Sequence, residues 1–186
     1  METSSPSEEQ RFKENVLGLT DLVHFLITDC WNNGIKDINP VMINLASSYL
    51  SSFDNVQLIE TFIRHSHMYW DEIKNQNENF FIEHSSSIFS QLPVGKGNID
   101  AFKTLFTAKK NGVSIISPDD KAGLWEYFTS LVKICIKYVH RVRECYLEEN
   151  KTTGRMQPRY RYEKFPEIKV RECAKKWDVK IEIPSI

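Results

Sequence analysis

The sequence lacks a long hydrophobic run, and it has few glycines and prolines. Its most apolar segment, LVKICIKYV (131–139), contains Lys133 and Lys137, so it does not supply the ~20 apolar residues of a transmembrane helix. Seven glycines and seven prolines in 186 residues exclude a collagen-like or wholly disordered chain. The start, METSSPSEEQ, lacks the basic and apolar regions of a secretory signal, and we expect an intracellular protein, cytoplasmic or nuclear, without a membrane partner.

The four cysteines have no framework spacing and no obvious catalytic partner. Cys30, Cys135, Cys145 and Cys173 are scattered, and in a reducing compartment we expect free thiols. His140 is five residues from both Cys135 and Cys145, a helical offset that does not place an imidazole beside a thiol. The sequence therefore favours a protein that is not an enzyme.

Motifs for metals and phosphates are also missing. His65 and His67 are two residues apart and would point to different sides of a helix, and His84 follows without a Cys-x-x-Cys or His-Glu-x-x-His pattern. The segment VGKGN (94–98) lacks the spacing of a P-loop and lies between predicted helices. No metal and no cofactor is predicted.

Apolar residues recur at helical spacing through most of the chain. From Phe12 to Cys30, and again from Leu124 to Val142, the spacings alternate between four and three residues. Capping residues and prolines predict the helix starts, which are Ser7, Asn39-Pro40, Asp54, Asn77, Asn98 and Ser117-Pro118. We predict a mainly α fold, a single bundle of about six helices around a long central helix at 118–148.

A change of periodicity near the C-terminus predicts a short β-hairpin. Val179, Ile181 and Ile183 alternate with charged residues, which is the spacing of a strand. Ile168 and Val170 are placed to begin a partner strand.

The charge of the chain is divided unevenly. The formal net charge is −1, but residues 151–186 contain ten Lys and Arg against five Asp and Glu, a balance of +5, which leaves −6 for residues 1–150. We predict a helical bundle domain at 1–149 and a basic, aromatic C-terminal extension at 150–186. Such an extension can fold back on an acidic body or contact an acidic partner.

Basic and aromatic residues are interleaved in the extension, and we predict that they contact a protein partner or nucleic acid. They are Arg155, Arg159, Tyr160, Arg161, Tyr162, Lys164, Phe165, Arg171 and Trp177. Basic side chains neutralise phosphates and rings stack on exposed bases, although five acidic residues interrupt the basic track. Three alternatives stay open: packing on the helical body, docking on a protein, and binding nucleic acid.

Adjacent aromatic residues in the helical region indicate an interaction surface. Tyr69-Trp70, Phe80-Phe81 and WEYF (125–128) contain rings that cannot all face one core, and rings are favoured at interfaces. We predict a non-catalytic helical interaction or structural (assembly) protein. It would bind a protein partner, or a second copy of itself, through exposed aromatics and the extension. The alternative is a nucleic-acid-binding accessory protein that uses 155–171.

One region resembles a known group of proteins. The runs FIRHSHMYWDEIKNQNENFFIEHSSSIFSQLP, AFKTLF and WEYFTSLVKICIKYVH, within about residues 60–142, resemble small uncharacterised helical proteins encoded by large nucleocytoplasmic DNA viruses. The resemblance implies an intracellular or virion-associated viral protein rather than an enzyme, and it assigns no functional residue.

Overall fold

The computed structural model describes residues 5–36, 39–89, 103–161 and 164–183. The fold is mainly helical with a small antiparallel hairpin near the C-terminus, which confirms the predicted fold class. The helices are α1 (Glu8–Asn32), α2 (Pro40–Ser52), α3 (Asn55–Ser66), α4 (Trp70–Lys74), α5 (Glu78–Phe89), α6 (103–107), α7 (Pro118–Val142) and α8 (Val170–Lys176). The strands are β1 (Lys109–Lys110), β2 (Val113–Ser114), β3 (Cys145–Glu149) and β4 (Met156–Tyr160).

The chain divides into two compact units, Met1–Leu131 and Val132–Ile186. The division falls inside α7, so this helix contributes residues to both units. The boundary predicted at 149/150 coincides with the end of β3, and that division into domains stays a prediction.

Side-chain caps begin the helices of the first unit where the sequence predicts. Ser7 and Asp54 each accept a hydrogen bond from the backbone N–H three residues further on, at 3.3 and 3.0 Å. Asn39 caps α2, with a proline at the first helical position. At α7, Ser117 Oγ accepts from the Asp120 N–H at 3.1 Å, and Asp120 Oδ2 accepts from the Ser117 N–H at 3.3 Å, a reciprocal capping box.

The core of the first unit joins one face of α1 to rings from several helices. The buried ring of Phe12 lies 5.2 Å from the ring of Phe62 in α3. In α5, Phe81 lies 5.4 Å from Trp125 and 5.8 Å from Phe128, both in α7. These tilted and edge-on pairs are the geometries that aromatic rings prefer in a core.

A single 3₁₀ turn at His67–Tyr69 separates α3 from α4, where the sequence predicts one continuous helix from Asp54 towards Asn75. The indole N–H of Trp70 donates to the buried Ser66 hydroxyl at 3.1 Å, so this ring nitrogen has an acceptor inside the core.

The strands β1 and β2 form a minimal hairpin whose turn is Asn111-Gly112. Both turn residues have positive φ (51° and 80°), as a two-residue hairpin turn requires. The helix predicted from Asn98 to this turn is helical only at 103–107 among the described residues. Its predicted start lies outside them.

The second unit combines the last turns of α7 with most of the extension. Its buried residues include Tyr138 and Val139 of α7, Val170 of α8, and Phe165 and Trp177. Part of the extension is therefore a core-forming segment of this unit.

The long helix ends earlier than predicted, at Val142 instead of residue 148. Glu144 adopts a left-handed conformation with φ of 51°, which stops the helix. Arg143 is buried and donates from Nε to the Lys164 carbonyl at 2.8 Å and from a terminal nitrogen to the Phe165 carbonyl. The helical spacing to Val142 does not extend to Cys145–Glu149, which pair as a strand.

The predicted position of the C-terminal hairpin is wrong. The antiparallel strands are β3 and β4, in register from Cys145 opposite Tyr160 to Glu149 opposite Met156. Asn150 shapes the turn between them, because its side-chain oxygen accepts from the backbone N–H groups two and three residues on, at 3.0 and 3.2 Å.

The segments predicted as strands have other conformations. Val170 opens α8, in which Val170 and Ala174 are buried one turn apart and Trp177 follows three residues later. Residues 179–183 have no regular secondary structure. The helical spacing of Val170, Ala174 and Trp177 therefore agrees with the observed helix, whereas the alternation at 179–183 does not produce a strand.

Candidate interaction surfaces

The first unit exposes an apolar stripe along α2. Val41, Met42, Leu45 and Tyr49, here called the α2 outer face, have 58%, 46%, 60% and 47% of their surface exposed. Val41, Leu45 and Tyr49 recur every four residues and therefore lie on one side of the helix. The opposite side buries three other apolar residues, Ile43, Ala46 and Leu50.

This helix carries no charge. Residues 38–53 contain no Asp, Glu, Lys or Arg, in a chain that is 26% charged. The Ser48, Ser51 and Ser52 hydroxyls donate to carbonyls of the same helix at 3.0, 2.8 and 2.7 Å. These hydroxyl donors are satisfied within α2, which lowers the cost of covering them. Sequence reasoning did not identify this surface, although apolar residues on both sides of an uncharged helix were a signal for it.

The adjacent aromatic residues singled out in the sequence divide into buried and half-buried members. Trp70 and Phe81 are buried, while Tyr69 and Phe80 are half-buried and lie 5.3 Å apart between ring centres. Two other rings of this unit are more exposed: Phe25 of α1 has 64% of its surface exposed and Tyr49 of α2 has 47%. In each of the three adjacent groups, therefore, one ring is only half-buried, while the more exposed rings of Phe25 and Tyr49 lie outside these groups.

The predicted extension residues divide into exposed and buried groups. The exposed residues are Arg155, Arg159, Arg161, Lys164 and Arg171. Tyr160 is half-buried, and Phe165 and Trp177 are buried in the second unit. Tyr162 lies outside the described residues. The two buried rings support the fold of this unit, and a contact region on the extension would consist of its exposed members.

Two of the exposed arginines have acidic neighbours on the hairpin. Arg159 Nε lies 3.3 Å from Glu148 Oε2, and Arg161 Nη1 lies 3.7 Å from Glu144 Oε1. The Arg161 guanidinium also lies 5.5 Å from the ring centre of Tyr146. These two glutamates reduce the net positive charge around Arg159 and Arg161.

The two units have opposite net charges. The first contains 10 Lys and Arg against 17 Asp and Glu, a balance of −7. The second contains 14 against 8, a balance of +6. The sum is the −1 of the whole chain. The division at Leu131 therefore makes the charge asymmetry slightly larger than the sequence division predicts.

Burial raises the pKa of three of the four thiols. It raises the pKa of the Cys135 thiol well above its ordinary value. Burial, with a smaller effect of the neighbouring Asp29 carboxylate, raises the pKa of Cys30. Burial also raises the pKa of Cys145, while the positive charge of Arg171 opposes the increase. A raised pKa lowers the fraction of thiolate, which is the nucleophilic form of cysteine.

His140 links three segments of the second unit. Its Nδ1 lies 3.1 Å from the hydroxyl of Tyr160, and its Nε2 lies 2.7 Å from the carbonyl oxygen of Glu182. An Nε2–H that donates to this carbonyl leaves Nδ1 to accept from the tyrosine. Burial raises the pKa of Tyr160, so this hydroxyl is a neutral donor at physiological pH. Both imidazole nitrogens therefore have structural partners.

Within the described ranges, no group of three or more His, Cys, Asp or Glu side chains is placed to hold a metal ion. None of the helices in the described part of the chain has the combination of length and apolar character that crossing a membrane requires.

No family model, curated protein or solved structure matches this chain. The resemblance to proteins of large DNA viruses stays a prediction.

Proposed function

We propose that this chain is a non-catalytic interaction or assembly protein that binds a protein partner through the α2 outer face. The observation that carries the proposal is a charge-free helix with apolar residues on both sides, one side packed in the core and the other exposed.

The size of this surface supports a binding role. With about 200 Å² for a fully exposed large residue, the four exposed fractions amount to roughly 400 Å². Apolar patches of about 300–600 Å² are the largest that typical monomers expose and are often functional. Tyr49 lies 5.0 Å from the half-buried ring of Phe53, which continues the apolar surface beyond the end of the helix.

The extension supplies a second contact region in this proposal. Its exposed arginines and Lys164 lie on a unit of net charge +6, which favours a partner with an acidic surface. Phe165 and Trp177 act on binding only by holding this unit together.

A photo-crosslinking amino acid at position 45 tests the proposal in the cells that naturally make the chain. Position 113 is the matched control, since Val113 is an apolar residue of the same unit with 70% of its surface exposed. We expect a discrete protein cross-linked from position 45 and absent from position 113. Equal labelling from both positions, or none from either, would contradict a docking role for α2.

Nucleic-acid binding is the second candidate function, and the net charge of +6 on the second unit favours it. Arg155, Lys164 and Arg171 are exposed. The pairs of Arg159 and Arg161 with glutamates weigh against it. The burial of Phe165 and Trp177 removes two of the rings that base stacking would use.

Fluorescence anisotropy with single- and double-stranded nucleic acid, across a salt series, tests this second candidate. Phosphate binding predicts affinity that falls steeply with salt, and Arg155→Ala with Arg171→Ala should reduce the log–log salt slope by about 1.5–2. Lys36→Ala, an exposed basic residue of the first unit, is the control. An absence of binding at low salt would eliminate the candidate.

A further inference from the structure

We infer that the occupant of the α2 outer face is the same face of a second copy, with the two helices antiparallel about a two-fold axis at Leu45. The inference rests on the proposed docking role of α2 and adds the identity of the partner.

The spacing of the stripe is compatible with this symmetry. Val41 and Tyr49 lie four residues on either side of Leu45, and all three are exposed on one side of the helix. A two-fold axis at Leu45 places the two Leu45 side chains together and each Val41 opposite the Tyr49 of the other copy. A small residue then faces a large one on both sides, an alternation that favours interdigitated packing.

The chemistry of the surface selects an apolar, uncharged partner. Residues 38–53 have no charge to be matched or left unpaired, and the three serine hydroxyls already donate within the helix. Another copy of α2 is itself apolar and uncharged on this face, so it covers the surface without burying a charge.

A lipid surface fits less well. Helices that lie on membranes place lysine and arginine beside their apolar face. In the sequence, Asp37 and Asp54 are the charged residues nearest to α2. Lys13 of α1 reaches the residue after this helix, where its Nζ donates to the Phe53 carbonyl at 2.7 Å.

The area sets the strength of the expected association. The α2 outer face offers roughly 400 Å² per copy, or about 800 Å² in total, below the 1,200–2,000 Å² of stable interfaces. The dimer should therefore be reversible, with a dissociation constant in the micromolar range or weaker.

Sedimentation velocity of the full chain from about 1 to 500 μM tests the inference. The weight-average sedimentation coefficient should rise with concentration, and Leu45→Glu should weaken association at least tenfold. Val113→Glu is the control, because it adds the same charge at an exposed apolar position of the same unit. Circular dichroism checks that each variant keeps the fold.

Mixing two variants tests the symmetry. Leu45→Glu and Leu45→Lys should each remain monomeric, while their equimolar mixture should associate, because the axis places the two opposite charges together. A mixture that stays monomeric while the wild type dimerises would overturn the arrangement.

The outcomes separate this inference from the proposed function. A wild-type chain that is monomeric at 500 μM overturns the inference. If position 45 then cross-links a different protein, the docking role of α2 stands with another partner. If position 45 cross-links nothing above the control, both proposals fail.

Discussion

Arg143 is a buried polar residue on which we expect the fold of the second unit to depend. It is only 7% exposed, and its guanidinium donates to the carbonyls of Lys164 and Phe165, which precede α8. Phe165 has a positive φ of 59°, a conformation that a bulky residue adopts only when its surroundings hold it. Arg143→Met keeps an apolar stem of similar length but removes both hydrogen bonds.

The expected loss follows from the contacts. Hydrogen bonds from a charged donor contribute about 1.5–3 kcal/mol each. Part of the loss is offset, because the Phe165 carbonyl also accepts from the Ile168 N–H at 3.0 Å. Removing a largely buried charge also recovers desolvation free energy. We expect Arg143→Met to lower the free energy of unfolding by about 2–4 kcal/mol.

Urea unfolding of the full chain, followed by circular dichroism, measures this change. Hydrogen exchange of residues 164–177 assigns it to the second unit, since a chain of two units need not unfold in one step. Arg161→Met is the matched control, because Arg161 is exposed and its pair with Glu144 at 3.7 Å should contribute less than about 1 kcal/mol.

Equal, small effects of Arg143→Met and Arg161→Met would refute the reasoning. In that case the carbonyls near α8 would find other donors without loss, and the buried guanidinium would not be what holds this segment.

Further outcomes follow from the first unit and from the thiols. Ser66→Ala should lower the free energy of unfolding by about 1–3 kcal/mol in urea titrations, because Trp70 Nε1 loses its buried acceptor; a change below about 0.5 kcal/mol would contradict this. Gly18→Ala should lower the melting temperature despite the helix propensity of alanine, because the new Cβ would lie 2.8 Å from the Tyr127 hydroxyl. Adding Tyr127→Ala should make Gly18→Ala stabilising, and an unchanged penalty would disprove the clash. Burial raises the pKa of Cys135, so above about pH 9 the unfolded chain binds fewer protons than the folded one and stability should fall, by up to about 1.4 kcal/mol per pH unit. Cys135→Val should flatten that fall in urea titrations between about pH 8 and 10.5, and an identical slope would exclude this thiol as its cause.

The parts of the fold that could be predicted depend on contacts close in sequence. A capping side chain bonds to a backbone N–H only two or three residues away, so Ser7, Asn39 and Asp54 identify the start of a helix without tertiary information. The spacing of apolar residues along α7 likewise repeats every turn of the same helix.

The end of α7 and the position of the hairpin depend on distant contacts. Arg143 reads as an ordinary basic residue of a helix until its carbonyl acceptors, about 20 residues later, are known. Strand β3 forms because residues 156–160 pair with it, and no local pattern specifies that register. The alternation at 179–183 spans only five residues, and it predicted the local structure less well than the helical spacing of Val170 and Ala174 did.

The candidate surfaces could be predicted only in part. An aromatic residue such as Phe165 or Trp177 suits both a core and a binding surface, so the residue type alone does not distinguish these roles. Their burial in the fold does. On α2, apolar residues occur on both sides, so the sequence does not specify which side the first unit covers.

The contacts of His140 have a consequence for the order of events during synthesis of the chain. The ring on α7 bonds to the carbonyl of Glu182, which the ribosome adds 42 residues later. At about 5–20 residues per second this interval is roughly 2–8 seconds. During that time the His140 ring lacks its hydrogen bond to the Glu182 carbonyl. A chain that terminates early, before Tyr160, lacks both partners of this histidine, so early stop codons should yield products that quality-control proteases remove.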